Sequence, residues 1–111
     1  MATTDFSTDH LNGYRADLAW GIVKWLAART GEHPDGGGCK AFYSPREWVK
    51  RGESYGKDAV LILCHDGGTL APFCNYDYGN WEGMKAFSDF LSSKGYYVEC
   101  CTSWYSAVYR A

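Results

Sequence analysis

A thiol, an imidazole and a carboxylate follow one another at Cys64, His65 and Asp66. An imidazole beside a thiol can lower the thiol pKa and activate the sulfur as a nucleophile. The three residues end an apolar run, residues 59–63, whose unbroken pattern predicts a strand covered on both faces. Adjacent strand residues point to opposite faces, so Cys64 and His65 should not face each other. The base would then be one of the two other histidines, and a buried Cys64 is the simpler interpretation.

His65 also begins a second candidate site. Residues 66–68, Asp-Gly-Gly, are a strong turn signal, because Asp bonds its own backbone and Gly supplies positive φ. The structural interpretation is a hairpin between strands at about 59–64 and 69–75, with Pro72 favouring an edge or a bulge in the second strand. The functional alternative places His65 at the rim of the sheet as a general base or ligand contact, assisted by Asp77 or Glu99.

Aromatic residues form the third candidate site. Tyr76, Tyr78 and Trp81 surround Asp77 and Asn80, and more Tyr and Trp residues occur in 96–109. Tyr and Trp offer rigid apolar area with a polar tip, and they are enriched at interfaces. The alternative is that these rings complete the core, and strand alternation predicts that both occur. The strand residues in phase with Glu99 should face outwards.

The cysteines and histidines lack the spacing of a metal site. Structural zinc sites pair ligands two to four residues apart, and the chain has no Cys-x-x-Cys and no His-x-x-x-His. In the predicted hairpin, Cys64 and Cys74 would point to opposite faces. The adjacent Cys100 and Cys101 are expected to be two free thiols rather than a strained disulfide. No metal and no cofactor is predicted.

The first predicted helix begins near Thr8 or Asp9 and ends at Thr30, with Gly31 as its C-terminal stop. Its apolar residues recur at three- and four-residue steps, although Gly21 is a poor helix former. The segment 32–39, with one proline and three consecutive glycines, is expected to be a loop, either a connector or a lid.

A capping box predicts a second, short helix. Ser44 caps it, Pro45 takes its first position and Glu47 reaches back to the cap. Trp48 and Val49 should form its buried side.

Asn80 caps a third predicted helix, which closes at Gly95. Its expected apolar face comprises Trp81, Met84, Phe87, Phe90 and Leu91. Two strands follow, at about 96–102 and 104–109, with a weak turn between them at residues 102–103. The alternatives are one long bent strand, or a helical turn in place of the last strand.

Composition is that of one soluble globular domain, residues 1–111. Apolar residues make up 46% of the chain, charged residues 22% and aromatic residues 17%, and this length suffices for a single core. No apolar run approaches the ~20 residues of a membrane span. The N-terminus lacks the basic start and apolar stretch of a signal peptide. A cytoplasmic location is expected, with the five cysteines as reduced thiols.

Net charge is −2 with both signs mixed along the chain, so charge argues against nucleic acid as a partner. One basic cluster, residues Arg46, Lys50, Arg51 and Lys57, surrounds Trp48 in the manner of some single-strand binding surfaces. A solvated helix face is the better interpretation of this cluster.

The predicted fold is an α+β two-layer sandwich: a small, mainly antiparallel sheet of about four strands with two to three helices packed on one face. The predicted function is that of an accessory protein that binds a protein partner, or a second copy as a homodimer, through an aromatic-rich surface. The alternative is a small-ligand-binding protein or enzyme with a rim site at Cys64-His65-Asp66 and residues 76–81. Candidate binding residues are His65, Asp66, Tyr76, Asp77, Tyr78 and Trp81.

Overall fold

The described part of the chain forms four antiparallel strands and four α-helices, an α+β sandwich as predicted. The computed structural model describes residues 10–36, 40–53 and 55–111. In chain order the elements are α1 (Gly13–Thr30), β1 (Phe42–Tyr43), α2 (Pro45–Lys50), β2 (Leu61–Cys64), α3 (Ala71–Cys74), α4 (Trp81–Ser93), β3 (Tyr96–Cys100) and β4 (Tyr105–Arg110).

The apolar run at 59–63 supplies a central strand, as predicted. The strand order is β1-β2-β4-β3, and β2 pairs with β4 so that Leu61 lies opposite Val108 and Cys64 opposite Tyr105. Val60 is only 7% exposed and Leu61 to Leu63 are fully buried. An unbroken apolar run therefore matches a strand that is covered on both faces.

The two faces of β2 pack into separate hydrophobic clusters. Leu61 and Leu63 contact the larger cluster, which contains the buried side chains of α1, α3 and α4. Ile62 and Cys64 contact the smaller cluster around Trp48 of α2. The helices α1, α3 and α4 thus lie on one face of the sheet. The short α2, predicted to lie on that same face, covers the other face instead.

The predicted hairpin is wrong in its second half. Residues 71–74 form α3, with Pro72 in its first turn and the Asn75 amide donating to the Ala71 carbonyl at 2.8 Å. Proline suits the first turn of a helix as well as it suits an edge strand. β1 and β4 occupy both edges of β2, so no pairing partner is left for residues 69–75. The prediction also missed β1.

The first helix starts later than predicted. Thr8 and Asp9 lie outside the described residues, and α1 begins at Gly13 after Asn12. His10, just before the helix, contacts the sheet instead of extending α1: its imidazole donates to the Phe42 carbonyl of β1 at 2.7 Å. Its C-terminal stop is confirmed: Gly31 adopts φ 76° and its amide donates to the Ala27 carbonyl.

The capping predictions for the other helices are confirmed. Ser44 accepts from the Glu47 amide at 3.2 Å, while the Glu47 carboxylate accepts from the Ser44 amide at 3.0 Å. Asn80 caps α4 through the Gly83 amide. Two side-chain predictions are wrong, since Val49 and Trp81 are 51% and 62% exposed. Each lies at the margin of its apolar face, where tertiary packing decides which residues are covered.

The C-terminal strands are confirmed. β3 pairs with β4 from Tyr96 opposite Arg110 to Cys100 opposite Ser106, and Tyr97 and Glu99 face outwards. Residues 32–36 carry no regular structure, as predicted for that part of the loop; residues 37–39 lie outside the described part of the chain. Within the described residues, every helix falls short of the length or the apolar character needed to cross a bilayer.

Candidate functional site

The prediction that His65 lies at the rim of the sheet as a general base or ligand contact is wrong. Its side chain is completely buried, and its Nε2 lies 2.9 Å from the Ser106 hydroxyl of β4. Burial lowers the pKa of the imidazole to about 4, against smaller opposing effects of its own backbone carbonyl and of Asp66. The ring is therefore neutral at pH 7 and shielded from solvent.

The thiols near His65 do not form an activated nucleophile. Cys64 is buried in the cluster around Trp48, on the opposite face of β2 from Leu63, as strand alternation predicts. Cys74 lies against Ser106, and burial raises its pKa to about 12 despite the opposing hydrogen bond with that hydroxyl. A thiol with so high a pKa carries almost no thiolate at pH 7.

Metal ligands are not clustered either. Within residues 10–36, 40–53 and 55–111, the structure contains no group of three or more His, Cys, Asp and Glu side chains placed to hold a metal ion.

Three exposed rings define the surface that we call the aromatic patch: Tyr76, Tyr78 and Trp81. They are 61%, 50% and 62% exposed, respectively. The Tyr76 and Trp81 ring centroids lie 6.0 Å apart at an interplanar angle of 35°. Large, exposed aromatic side chains that are clustered like Tyr76 and Trp81 are characteristic of binding surfaces rather than of solvated faces.

Two asparagines hold the aromatic patch in place. Asn75 Oδ1 accepts from the Asp77 amide at 2.9 Å and shapes a 3₁₀ turn over Tyr76–Tyr78. The Asn75 amide group donates to the Ser103 carbonyl. Asn80 caps α4 and also donates to the Pro72 carbonyl at 3.2 Å. The rings are therefore carried on a backbone tied to α3, α4 and the β3–β4 turn.

A cleft of about 240 Å³ opens beside the aromatic patch. Tyr76 and Trp81 stand at its wall together with Met84 of α4, and Val98 and Cys100 of β3 complete it. Its lining is mainly apolar. Neither His65 nor Asp66 lines this cleft; Asp66 is exposed in the turn that follows β2. The structure thus separates the two halves of the predicted rim site.

The charged residues within and directly after the aromatic patch are acidic. Asp77 lies within the patch turn and Glu82 follows Trp81, and neither carboxylate has an ion-pair partner among the described residues. Lys85, which also lines the cleft, is engaged by Asp89 at 2.8 Å. The patch therefore presents rings and two uncompensated negative charges.

A larger depression lies on the helical face and was not predicted. This depression, the α1–α4 groove, has a volume of about 590 Å³ and is lined by Tyr14, Asp17, Leu18, Gly21, Lys24, Trp25, Phe90, Lys94 and Tyr96. The sequence signal was Gly21, which interrupts an otherwise apolar helical face. Glycine is a poor helix former, and a residue without a side chain also leaves room above the helix.

The aromatic ring at the centre of the basic cluster lies in the smaller hydrophobic cluster. Trp48 is completely buried, so its ring is not available to stack on a base. Arg51 lies over the Trp48 and Tyr43 rings, at 5.0 Å and 5.3 Å, and pairs with Glu53 at 3.5 Å. These contacts support the interpretation of the cluster as a solvated helix face.

Comparison with known proteins yields no relative: no protein-family model, no curated protein and no solved structure matches this chain.

Proposed function

We propose that this protein is a binding module that recognises a basic segment of a protein partner through the aromatic patch. The observation that carries the proposal is the combination of three rings within residues 76–81, each at least half exposed, with the carboxylates of Asp77 and Glu82, which have no ion-pair partner among the described residues. Rings alone would fit many apolar partners. Rings together with negative charge favour a partner that brings Lys or Arg.

The rings favour affinity because they are large and already positioned. Tyr and Trp dominate the energetics of protein interfaces, since each buries much apolar area and loses few rotamers on binding. The backbone bonds of Asn75 and Asn80 fix the patch turn. A partner would therefore not have to order this surface when it binds.

The carboxylates favour a partner that carries positive charge. A Lys or Arg side chain laid on the Tyr76 or Trp81 ring gains a cation–π contact, and Asp77 and Glu82 offer acceptors to the same cation. The neighbouring cleft, with Met84 and Val98 in its wall, would accept an apolar side chain of the same segment.

Charge also argues against a second copy as the occupant. In a two-fold symmetric dimer each patch would meet itself, so Asp77 and Glu82 would approach their own copies. Like charges brought together at an interface are unfavourable. A homodimer through this surface is therefore the weaker candidate.

A cytoplasmic location is part of the proposal. It is supported by the odd number of cysteines and by the burial of Cys64 and Cys74 as thiols within the core, which suits a reducing compartment.

The proposal is tested by selecting peptides from a random 12-residue library on the full chain. The selected peptides should be enriched in Lys and Arg with at least one apolar residue. Trp81→Ala should weaken them about thirtyfold, the effect of losing a central interface Trp. The double variant Asp77→Asn with Glu82→Gln should weaken them and reduce the salt dependence of binding. Trp20→Ala is the matched control, because Trp20 is 49% exposed on α1 and outside the patch.

Selected peptides without basic residues, or binding that tolerates Trp81→Ala as well as it tolerates Trp20→Ala, would overturn the proposal. So would a dimer in sedimentation experiments that dissociates on Trp81→Ala, since the occupant of the patch would then be a second copy.

A further inference from the structure

We propose that the α1–α4 groove is a second binding site, which takes a small molecule made of a planar aromatic ring and an anionic group such as a carboxylate. The site lies on the helical face and shares no residue with the aromatic patch. The inference therefore does not rest on the function proposed above.

The groove has the size and the walls of a small-molecule site. Its volume of about 590 Å³ falls within the range of roughly 300–1,000 Å³ typical of ligand pockets. Its α1 wall runs from Tyr14 to Trp25, which is about 16 Å along the helix axis. Phe90 of α4 and Tyr96 of β3 complete the aromatic lining. Such walls suit a flat ring that is held by its faces and edges.

The floor of the groove depends on Gly21. A Cβ built at this position would have the Phe90 ring as its nearest neighbour, at 3.7 Å, so any side chain there would enter the groove. Phe90 in turn stacks on Trp25 with centroids 5.6 Å apart. The gap is thus framed by a fixed pair of rings, and a single side chain at 21 would fill it.

The charge around the groove selects an anion. Lys24 and Lys94 line it, and neither ammonium has a carboxylate partner among the described residues. Three guanidinium groups that do not line the groove lie over its rings: Arg15 over Tyr14 at 4.8 Å, Arg29 over Trp25 at 5.6 Å and Arg110 over Tyr14 at 4.6 Å.

One carboxylate, Asp17, lines the groove together with the two lysines. Asp17 and Lys24 are seven residues apart, which is about 10 Å along α1, so an anionic group near Lys24 need not approach Asp17. The charged lining residues, two lysines and one aspartate, carry a net charge of +1, which favours a ligand that carries negative charge beside its ring.

The test uses 1-naphthoate as the probe, with the uncharged 1-naphthalenemethanol as its matched partner. Both are titrated into the full chain by displacement of the fluorescent aromatic sulfonate 1-anilinonaphthalene-8-sulfonate. The double variant Lys24→Met with Lys94→Met should weaken 1-naphthoate about tenfold, the combined effect of two exposed ammonium groups. It should leave the affinity for 1-naphthalenemethanol within twofold, because the methionines keep the apolar stems.

Two further variants locate the site. Gly21→Leu should abolish binding of both probes, since it fills the groove while favouring the helix. Lys50→Met on α2, on the other face of the sheet, should change neither affinity.

The proposal is overturned if 1-naphthoate does not displace the dye, if the lysine double variant binds it as tightly as the parent chain, or if Lys50→Met weakens it equally. If the lysine double variant keeps its fold but binds neither probe, the proposal is also contradicted, because the lysines would then not act by binding the anionic group.

Discussion

His65 Nε2 and Ser106 Oγ lie 2.9 Å apart between the two central strands, and both side chains are completely buried. The other ring nitrogen, Nδ1, has no hydrogen-bond partner among the described residues. A neutral imidazole tolerates this environment, whereas an imidazolium would have to bury a charge next to an unpartnered nitrogen. Protonation of His65 should therefore destabilise the sheet in which His65 and Ser106 are buried.

Stability should fall as the pH is lowered towards 4. The pKa of His65 is about 4 in the folded chain and near 6.5 in an unfolded one. Between these values the unfolded state holds more protons, so the free energy of unfolding decreases with falling pH by up to about 3 kcal/mol. Urea denaturation at pH 7.0, 5.5 and 4.5 measures this decrease in the free energy of unfolding. His65→Gln keeps a polar partner for Ser106 but does not titrate, so the stability of this variant should not show the His65 contribution to the pH dependence. An equal loss of stability with falling pH in the two chains would contradict the assignment of this effect to His65.

Cys74 should resist alkylation until the chain unfolds. Burial raises its pKa to about 12, so its thiolate fraction at pH 8 is negligible, and iodoacetamide reacts with the thiolate. We expect labelling at least about a hundredfold slower in buffer than in urea, measured by peptide mass spectrometry. Cys101, whose pKa burial and Glu99 raise to about 11, is partly exposed and should react faster than Cys74. Equal rates for the two cysteines would show that Cys74 is open to solvent.

Gly68→Ala should destabilise the protein, and Gly21→Ala should stabilise it. A Cβ at Gly68 would clash with the Asp35 carbonyl oxygen, so the backbone of the 32–36 loop would have to move. We expect a loss of about 1–3 kcal/mol there. A Cβ at Gly21 makes an ordinary 3.7 Å contact and gains up to about 1 kcal/mol of helix propensity. Thermal unfolding of both variants measures the difference, and a stable Gly68→Ala chain would show that the loop does not pack on the turn after β2.

Trp48 should be the most costly single aromatic residue to remove from the smaller cluster. It is completely buried, with ring centroids 5.0 Å from Tyr43 and 4.8 Å from Tyr105. Truncation of so large a buried ring costs about 3–5 kcal/mol, so Trp48→Ala should lower the urea midpoint sharply. Trp20→Ala, at an exposed position of α1, should change the free energy of unfolding by no more than about 0.5 kcal/mol. Similar effects for the two variants would contradict the packing of α2 on the sheet.

Features that depend on near neighbours in the chain could be read from the sequence. Ser44 and Glu47 satisfy each other's backbone donors within one helical turn, and Asn80 caps α4 in the same local way. The apolar run at 60–63 needs only its own composition to indicate a strand hidden on both faces. The aromatic patch was also recognisable, because its rings and the asparagines that position them lie within residues 75–81.

Features that depend on distant partners were settled only by the tertiary structure. β2 pairs with β4, more than forty residues further along, rather than with the segment next to it, and Pro72 is compatible with a helix as well as with an edge strand. The position of His65 inside the sheet follows from Ser106, and the α1–α4 groove from Phe90 facing Gly21. Local propensities differ by about 1 kcal/mol or less, so the long-range packing of apolar surface decides between alternatives that the sequence leaves nearly equal in free energy.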